Sequence, residues 1–568
     1  MKKLWKTRSE IPNESVLGAL FSSRQLTRED DIKRFLDPEY SDHHNAFLLT
    51  DMATAVSRLE KAIREQEQIT IYADYDADAV TAAAVLLRFF STLQYGKVDY
   101  YIPDRFSEGY GLNPDAMQTL FQRGTRLIIT VDCGINAFEA VRQANEFGMD
   151  VIITDHHQLT GGGIPAAVAV VNPHRPDDNY PFKHLTGVGV AFKLVQALIP
   201  SLQATSYKLQ AGFEKWFLDL VAIGTVADCQ SLLGENRIFV KWGLYVLGKT
   251  RWIGLKKLVK LAGIAKSEMD TYKIGFVIAP RINAAGRMEH ADTALRLLLT
   301  DDEIEAETLA QKLEVLNQAR QRQTERILSE AREQVMLNAN HKILLAAGEG
   351  WHKGIVGLVA GKLTEEFARP VLVLEKSAEE ATGSARSVGN FNIIEAISQS
   401  KAVLTRYGGH PQAAGFTLRS EHIEVFRKNL LDYAEESLSE DDLSPVLYYD
   451  AEINLSQVSD EFVEFVARFE PTGIGNPKPR FRINNLAVSR ISTVGQDNKH
   501  LRMLVHAFPP HEGGNERGSW SCIGFNLGFW ADKLKRDDRI DIICEPQWNE
   551  WNGERKVQLK IIDIGLTN

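Results

Sequence analysis

The sequence has little cysteine, no long apolar run and no excess of positive charge. Four of its 568 residues are cysteine (Cys133, Cys229, Cys522 and Cys544), too few for a disulfide scaffold and typical of a reducing cytoplasm. No stretch approaches the roughly 18 apolar residues of a membrane-spanning helix, and no apolar segment follows the basic start as it does in a secretory signal. The formal net charge of −10 excludes a protein that coats nucleic acid by bulk charge, but it leaves room for a local basic groove.

The first half of the chain shows a strand–helix rhythm. Hydrophobic residues make up 44% of the chain and charged residues 25%, as in packed globular proteins, and the length predicts about three to four domains. After a polar, helical arm over residues 1–65, short β-branched runs begin at residues 69, 98, 127, 151 and 168. Helical stretches separate most of these runs. This alternation predicts an α/β body with a mainly parallel sheet, and the apolar character of the strands indicates that both sheet faces are covered.

Three further regions follow. Residues 287–347 contain no glycine or proline, and the spacing of apolar residues in 302–336 predicts one long amphipathic helix joining two bodies. A second, smaller α/β rhythm follows, and from about residue 448 short strands, turns and aromatics predict a C-terminal β-barrel of the OB-fold size. We therefore expect four parts: an arm and α/β domain over 1–300, a connecting helix over 301–340, a second α/β domain over 341–445, and the barrel with its lead-in over 446–568.

An acidic cluster follows the first strand of the α/β body. Asp74, Asp76 and Asp78 lie between that strand and a predicted helix, at the carboxyl end of a parallel strand, where α/β sheets place their ligand sites. Three carboxylates so close together repel one another, and hard divalent cations are the usual compensation. A solvated acidic turn is the competing interpretation for this motif taken alone.

Other candidate ligands follow later apolar runs. Asp132, the run 155–157 with His156 and His157, and Asp228 each come directly after such a run, and in a parallel sheet these ends converge on one edge. Taken singly, such an aspartate is usually a helix cap and such a histidine an ordinary polar residue. Carboxylates with imidazole suit Mn²⁺ more than Mg²⁺. The number of carboxylates suffices for two ions, the arrangement that activates water and braces a phosphodiester.

At these residues the sequence resembles the DHH phosphoesterase superfamily and, within it, the RecJ single-strand-specific exonucleases. The resemblance runs from about residue 45 to the C-terminus. Beyond the acidic cluster it rests on these motifs: IPDRFSEGYGL from residue 102, LTGVGVAFK from 185, GTVADC from 224, PRINAAGR from 280, GSARS from 383 and GGHPQAAGF from 408. It implies a DHH domain, a DHH-associated domain and an OB-fold. It also implies a 5′→3′ exonuclease that releases 5′-mononucleotides from single-stranded DNA in repair and recombination.

The resemblance also implies residue roles. The catalytic and metal-binding set would be Asp76, Asp78, Asp132, His156, His157 and Asp228, with Asp74 supporting or joining the ligands and His157 either ligating or facing the scissile phosphate. The 5′ end would be held by Arg105 and Tyr110, and its phosphate by Ser384 and Arg386, with Gly409 and His410 across the cleft. DNA backbone near the metals would be held by Arg281, Asn283 and Arg287. The cofactor would be Mn²⁺ or Mg²⁺, two ions per site.

One residue departs from the family pattern. Ala79 follows the third aspartate, where the family usually has glycine. If the position demands a positive φ, alanine would strain the backbone and could shift Asp78. If the position is simply the first turn of the helix, alanine favours it. We favour the helical interpretation, because every carboxylate is retained.

Two other functions compete with the exonuclease. A phosphodiesterase for cyclic dinucleotides or short oligonucleotides would share both α/β bodies, and a non-catalytic DNA-binding relative would share the groove. For the exonuclease we expect a cytoplasmic monomer that does not bind membranes. Its substrate would be a single DNA strand with a 5′ end, and single-strand-binding protein or a helicase are candidate partners. Most aromatics of the C-terminal barrel are expected in its core, and some to stack bases.

Overall fold

The chain folds into three bodies, two of which are joined by one long helix. The computed structural model describes residues 3–9, 15–105, 107–109, 111–203, 207, 209–265, 268–507, 519–551 and 553–567. The N-terminal arm contains β1 (Leu4–Thr7), α1 (Val16–Ser22), α2 (Glu29–Leu36) and α3 (Met52–Glu65). The α/β architecture predicted from the sequence is confirmed.

The first body is a parallel sheet with helices on both faces. Its elements are β2 (Ile69–Ala73), α4 (Ala77–Thr92), β3 (Val98–Tyr101), α5 (Pro114–Gln122), β4 (Leu127–Val131), α6 (Phe138–Glu146), β5 (Asp150–Thr154), β6 (Ala169–Val171), α7 (Gly187–Gln203), α8 (Leu218–Ala227), α9 (Gly234–Leu247), α10 (Ile253–Leu261), α11 (Thr271–Lys273), α12 (Ala279–Met288) and α13 (Asp292–Leu299). The strand order is β3-β2-β4-β5-β6, all parallel. Alternate residues such as Ile128 and Ile129 belong to the cores on opposite faces. This explains why the strands are mostly apolar on both faces.

A long helix leads to the second body. Helix α14 (Glu303–Met336) begins after Asp302, whose side chain accepts a hydrogen bond from the Glu305 N–H. The second body contains β7 (Leu344–Gly348), α15 (Val356–Phe367), β8 (Val371–Lys376), β9 (Glu380–Arg386), α16 (Ile393–Ser398), β10 (Leu404–His410), β11 (Ala413–Arg419) and α17 (Ile423–Ser437). Its strand order is β10-β11-β9-β8-β7, with only β7 and β8 parallel. The predicted connecting helix therefore lies where expected.

The third body is mostly antiparallel sheet. It contains β12 (Val446–Tyr449), β13 (Ala451–Glu452), α18 (Asp460–Ala467), β14 (Phe481–Val494), β15 (His500–Ala507), β16 (Trp520–Gly524), β17 (Arg539–Trp551) and β18 (Glu554–Leu566). Strand β14 pairs with both β15 and β17, so the sheet curls back on itself. The arm helices α1 and α2 pack in the core of this body, and β1 pairs with β12. No helix in the described part of the chain has the length and apolarity that a membrane crossing needs.

One buried arginine ties the arm, the first body and the third body together. Arg237 on α9 is 1% exposed, and its guanidinium donates to the carbonyl oxygens of five residues: Phe35, Arg468, Phe469, Glu470 and Pro471. Burial lowers its pKa to about 10, so it remains charged near neutral pH. One side chain therefore satisfies backbone acceptors contributed by two separate segments of the chain.

We expect Arg237→Met to lower the free energy of unfolding by about 2–3 kcal/mol. The methionine fills similar volume but leaves buried carbonyls without donors, and an unmatched buried acceptor costs about 1–3 kcal/mol. Urea denaturation followed by circular dichroism measures the change. Arg326→Met, on the solvent side of α14 where the arginine side chain is 50% exposed, is the matched control and should change little. Equal stability of the two variants would contradict the role of Arg237.

Candidate active site

The three aspartates after β2 occupy different places around the start of α4. Asp76 is the N-cap residue, and its Oδ1 accepts hydrogen bonds from the backbone N–H of Asp78 (2.9 Å) and of Ala79 (3.1 Å). Asp78 and Ala79 lie in the first helical turn and are buried. Asp74 is 3% exposed and precedes the cap. The helical interpretation of Ala79 therefore holds, and alanine there carries no backbone strain.

The other predicted ligands meet these aspartates at the carboxyl edge of the sheet. Asp132 follows β4 and His156 follows β5. His156 Nε2 lies 3.0 Å from Asp132 Oδ1, 3.7 Å from Asp228 Oδ2 and 3.9 Å from Asp78 Oδ2. Asp132 adopts a left-handed φ of 61°, a conformation that aspartate tolerates better than most residues and that often marks a functional site.

Asp228 reaches this edge from a helix rather than from a strand. The sequence predicts it after an apolar run among the strand ends, but residues Leu218–Ala227 form α8, and Asp228 is its C-terminal cap. The helix is buried on nearly all sides, so its sequence is continuously apolar. Periodicity cannot separate such a helix from a buried strand. The expected convergence is present, but the predicted route to it was wrong.

Two glycines let helices approach these carboxylates closely. At the start of α7 the Gly187 N–H donates to Asp78 Oδ2 (2.6 Å) and the Val188 N–H to Asp78 Oδ1 (2.9 Å). A Cβ at Gly187 would lie 2.4 Å from the Asp132 Cβ, and one at Gly224 on α8 would lie 2.7 Å from Asp78 Oδ1. The sequence motifs contain both glycines, but their packing role is visible only in three dimensions.

We expect Gly187→Ala to lower the rate of the metal-dependent reaction by about 10- to 100-fold, the usual effect of disturbing groups that orient metal ligands. The added methyl group must displace either Asp132 or the start of α7, because its Cβ would contact the Asp132 side chain at 2.4 Å. Steady-state kinetics with Mn²⁺ titration measures the loss. Gly361→Ala on α15 is the control: a Cβ there would meet no atom of the described residues within 4 Å, so unchanged kinetics are expected. Undiminished activity of Gly187→Ala would contradict the proposed constraint.

Asp155 orients the second histidine, a role that the sequence pattern does not predict. Its Oδ1 accepts hydrogen bonds from His157 Nδ1 (2.7 Å) and from the backbone N–H of His156 (2.7 Å) and His157 (3.0 Å). Burial opposes ionisation of His157, but the Asp155 carboxylate outweighs it and raises the pKa of His157 to about 9. His157 is therefore an imidazolium at neutral pH in the metal-free protein. In the sequence, Asp155 directly precedes the two histidines, and this adjacency could have indicated its orienting role.

The electrostatics of the cluster fit bound cations. Burial, reinforced by neighbouring carboxylates, raises the pKa of Asp74, Asp78 and Asp132 well above the ordinary value and that of Asp228 to about 7. Burial lowers the pKa of His156 to about 3, so its ring is neutral and free to ligate. Four buried atoms of the cluster find no hydrogen-bond partner among the described residues: Asp74 Oδ1, Asp132 Oδ1, His156 Nε2 and Asp228 Oδ2.

Two overlapping sets of donors could each hold an ion. Asp132, His156 and His157 form one set, and Asp78, His156 and Asp228 form the other, with the ligand atoms of each set within 4.8 Å of one another. Unpaired buried oxygens and an unpaired imidazole nitrogen are unfavourable without a partner. A divalent cation satisfies them, and His156 belongs to both sets. The residues present therefore fit Mn²⁺ or Mg²⁺.

A second cluster lies on the second body. Arg386 Nη1 donates to Ser384 Oγ (2.8 Å), and a Cβ at Gly357, near the start of α15, would lie 3.0 Å from that oxygen. Burial lowers the pKa of Arg386. Because Arg386 and His410 both pair with Ala413, their side chains share one sheet face, about 10 Å apart. Gly409 has a φ of 147° beside His410.

Further arginines line the space between the two clusters. Arg287 donates to the Gly354 carbonyl oxygen (3.2 Å). Burial, then the charges of Arg105 and Arg320, lower its pKa to about 10. The Arg105 guanidinium lies 4.7 Å from the Tyr75 ring centroid. Several cations so close together indicate a site for an anion. Arg320 on α14 was not among the predicted residues.

The remaining predicted contacts have mixed outcomes. Asn283 accepts a hydrogen bond from the Ala77 N–H (2.8 Å), and Arg281 Nε donates to Glu314 Oε2 (2.7 Å). Both predicted DNA-binding residues therefore contact other residues of the protein. Tyr110 lies outside the described residues. In the third body Phe525 and Phe529 are 51% and 52% exposed, whereas Trp520, Trp530 and Trp548 pack partly against the core.

Family models match three stretches of the chain. The model described as the DHH family, N-terminal domain, matches residues 68–225, the DHHA1 domain matches 340–436, and the RecJ OB domain matches 449–563. The chain is 39% identical over 555 residues to the single-stranded-DNA-specific exonuclease RecJ of Bacillus subtilis, covering 97% of this chain and 68% of that protein. It is 32% identical to RecJ of Haemophilus influenzae, covering 99% of each.

Solved structures give the same likeness. The crystal structure of Thermus thermophilus RecJ in complex with Mn²⁺ matches 97% of this chain and 76% of that one, with a TM-score of 0.81 and 29% identity. The corresponding structure in complex with Mg²⁺ matches with a TM-score of 0.75 and 28% identity, covering 97% and 75%. Both metals predicted for the cluster are therefore found in similar proteins.

Proposed function

This chain belongs to the RecJ family of single-stranded-DNA-specific exonucleases, and we propose that it removes 5′-mononucleotides from the 5′ end of single-stranded DNA. The family resemblance, the exonuclease class and the use of Mn²⁺ or Mg²⁺ are confirmed by the comparisons. The 5′→3′ direction and the role in repair and recombination are proposals.

The convergence of His156 Nε2 on three carboxylates carries the proposal. Two ions held by these residues would supply Lewis-acid activation of water and stabilise charge on the phosphoryl oxygens. Asp78, Asp132, His156 and Asp228 would hold them. The Asp155 carboxylate orients the His157 ring and keeps it charged, so it can donate to a phosphoryl oxygen. It would ligate an ion only after losing that proton. Asp76 fixes the helix start that carries Asp78.

The arginine cluster supports recognition of a 5′-phosphate. Arg386 and Ser384 lie on the second body beside the start of α15, and Arg105 and Arg287 belong to the first body, with the charges of Arg105 and Arg386 both acting on Arg287. Guanidinium groups bind phosphate oxygens in pairs of parallel hydrogen bonds. A terminal phosphate held there would leave the adjoining phosphodiester facing the metal cluster. A cleft between two bodies and one helix suits a single strand.

The test is a nuclease assay with Mn²⁺ on a 5′-phosphorylated single strand, labelled at each end in turn, beside a blunt duplex and a cyclic dinucleotide. We expect stepwise mononucleotide release from the 5′ end only, abolished in Asp132→Ala. Arg386→Ala should retain cleavage but lose about tenfold or more of the preference for a 5′-phosphate over a 5′-hydroxyl, since a charge-assisted hydrogen bond contributes about 1.5–3 kcal/mol. Release from the 3′ end, or cleavage of the dinucleotide alone, would contradict the proposal.

Several expectations accompany this function as proposals. We propose a monomer in the cytoplasm, with single-strand-binding protein or a helicase as partner. The low cysteine content supports the location. The domain boundaries at 300, 340 and 445 also stay predictions, which limited proteolysis would test.

A further inference from the structure

Two aromatic rings project together from a helical turn near the active site. Tyr272 and Phe276 have ring centroids 4.8 Å apart and ring planes 26° apart. Even so, Tyr272 is 60% exposed and Phe276 is 70% exposed, which makes Phe276 the most exposed aromatic among the described residues. The rings therefore pack on each other while most of their surface meets solvent.

The turn that carries these rings is firmly held. Residues Ile274–Ile278 form a π-helical turn between α11 and α12, an irregularity often found at functional sites. Ile274 and Ile278 on its inner side are completely buried. Asp270 caps α11 through the Lys273 N–H (2.7 Å), and Thr271 Oγ1 donates to the Thr472 carbonyl oxygen (2.7 Å). The buried isoleucines and these hydrogen bonds therefore fix the backbone that carries the exposed rings.

Contacts place this aromatic pair beside the metal cluster. A Cβ at Gly275 would lie 3.5 Å from Val226, two residues before Asp228. Farther along the same helical segment, Asn283 accepts the hydrogen bond from Ala77, between Asp76 and Asp78. Seven residues separate Phe276 from Asn283, about 10 Å at the rise of a helix. The segment that carries the rings therefore packs against the end of α8 and the start of α4, which hold predicted ligands.

The geometry points to Tyr272 and Phe276 as a stacking platform for one base of the single strand that enters the active site. This inference rests on the proposed function and adds to it a binding position beyond the phosphate and metal contacts. Unpaired bases expose both ring faces, and aromatic side chains stack on them without regard to sequence. A duplex keeps its bases stacked inside, so the platform favours single strands.

A matched set of binding measurements tests the platform. The probe is a 5′-phosphorylated, 3′-fluorescein oligonucleotide, bound in EDTA to prevent cleavage and followed by anisotropy. We expect the double variant, which carries both Tyr272→Ala and Phe276→Ala, to bind the oligonucleotide about tenfold more weakly. This is within the range for loss of one base–aromatic stack. Phe276→Trp should retain binding. Tyr245→Ala is the control, because Tyr245 on α9 is similarly exposed (58%) but lies away from the metal cluster. Its neighbour Gly243 packs on Leu218, at the opposite end of α8 from Asp228.

A walk of single abasic sites along the oligonucleotide supplies the decisive comparison. At one position along the strand, removal of the base should weaken binding to the wild-type protein about tenfold. Removal of the same base should cause no further loss of binding to the double variant, as expected if that base contacts the aromatic pair. Equal losses in both proteins at every position would overturn the platform. If the wild-type protein also fails to cleave single strands with Mn²⁺, the proposed function fails with it; if it cleaves normally, only the platform fails.

Discussion

His156→Ala should lower the rate of Mn²⁺-dependent cleavage by at least about 10³-fold. Its Nε2 belongs to both candidate donor sets, and no other described residue of the cluster does. Loss of groups that merely orient metal ligands already costs about 10- to 100-fold, so loss of the neutral nitrogen ligand that either set can use must cost more. The imidazole is neutral, with a pKa of about 3, so the effect does not depend on a charge that assay pH could remove.

His157→Ala is the matched comparison for this prediction. His157 belongs to one set only and is held by Asp155, so its loss should spare the other position. Calorimetric titration with Mn²⁺ should show a larger loss of affinity in His156→Ala, which lacks the neutral imidazole, than in His157→Ala. Circular dichroism should show the same fold in all three. Wild-type affinity for Mn²⁺ in His156→Ala would contradict the assignment of His156 as a ligand.

Much of the site could be predicted because strand direction fixes where residues meet. The runs ending before Asp74, Asp132 and Asp155 are mostly apolar and β-branched, which identifies buried parallel strands and places the residues that follow on one edge. The long helix could be predicted for a related reason: 34 residues from Glu303 to Met336 lack glycine and proline and have a helical apolar spacing.

The rest depends on contacts between distant parts of the chain. Helix α8 is as apolar as the strands, because it is buried among other helices, so its sequence does not reveal that Asp228 ends a helix. Strand β1 is short and mostly exposed, and its partner β12 lies at the other end of the chain. The need for glycine at residue 187 arises only where α7 meets Asp132. None of these features leaves a local pattern.

Removal of the metal should destabilise the first body, and more so at higher pH. In the metal-free protein burial raises the pKa of Asp74, Asp78 and Asp132, and that of Asp228 to about 7, whereas in the unfolded chain they ionise near pH 4. The folded state therefore holds more protons than the unfolded state above that pH. Stability falls as pH rises from about 4 to 7 and beyond, and the raised pKa of His157 adds to the fall above about pH 6.5.

Bound Mn²⁺ reverses this trend, because the ion takes the place of the protons and binds best when the carboxylates are ionised. Saturation at 1,000 times the dissociation constant adds about 4 kcal/mol to the free energy of unfolding. Thermal melts in Mn²⁺ and in EDTA should therefore differ more at pH 8 than at pH 5.5. In His156→Ala the difference between the two melts should shrink at both pH values, since that variant lacks a ligand that either set can use. A difference independent of pH would show that the buried carboxylates are not what the metal neutralises.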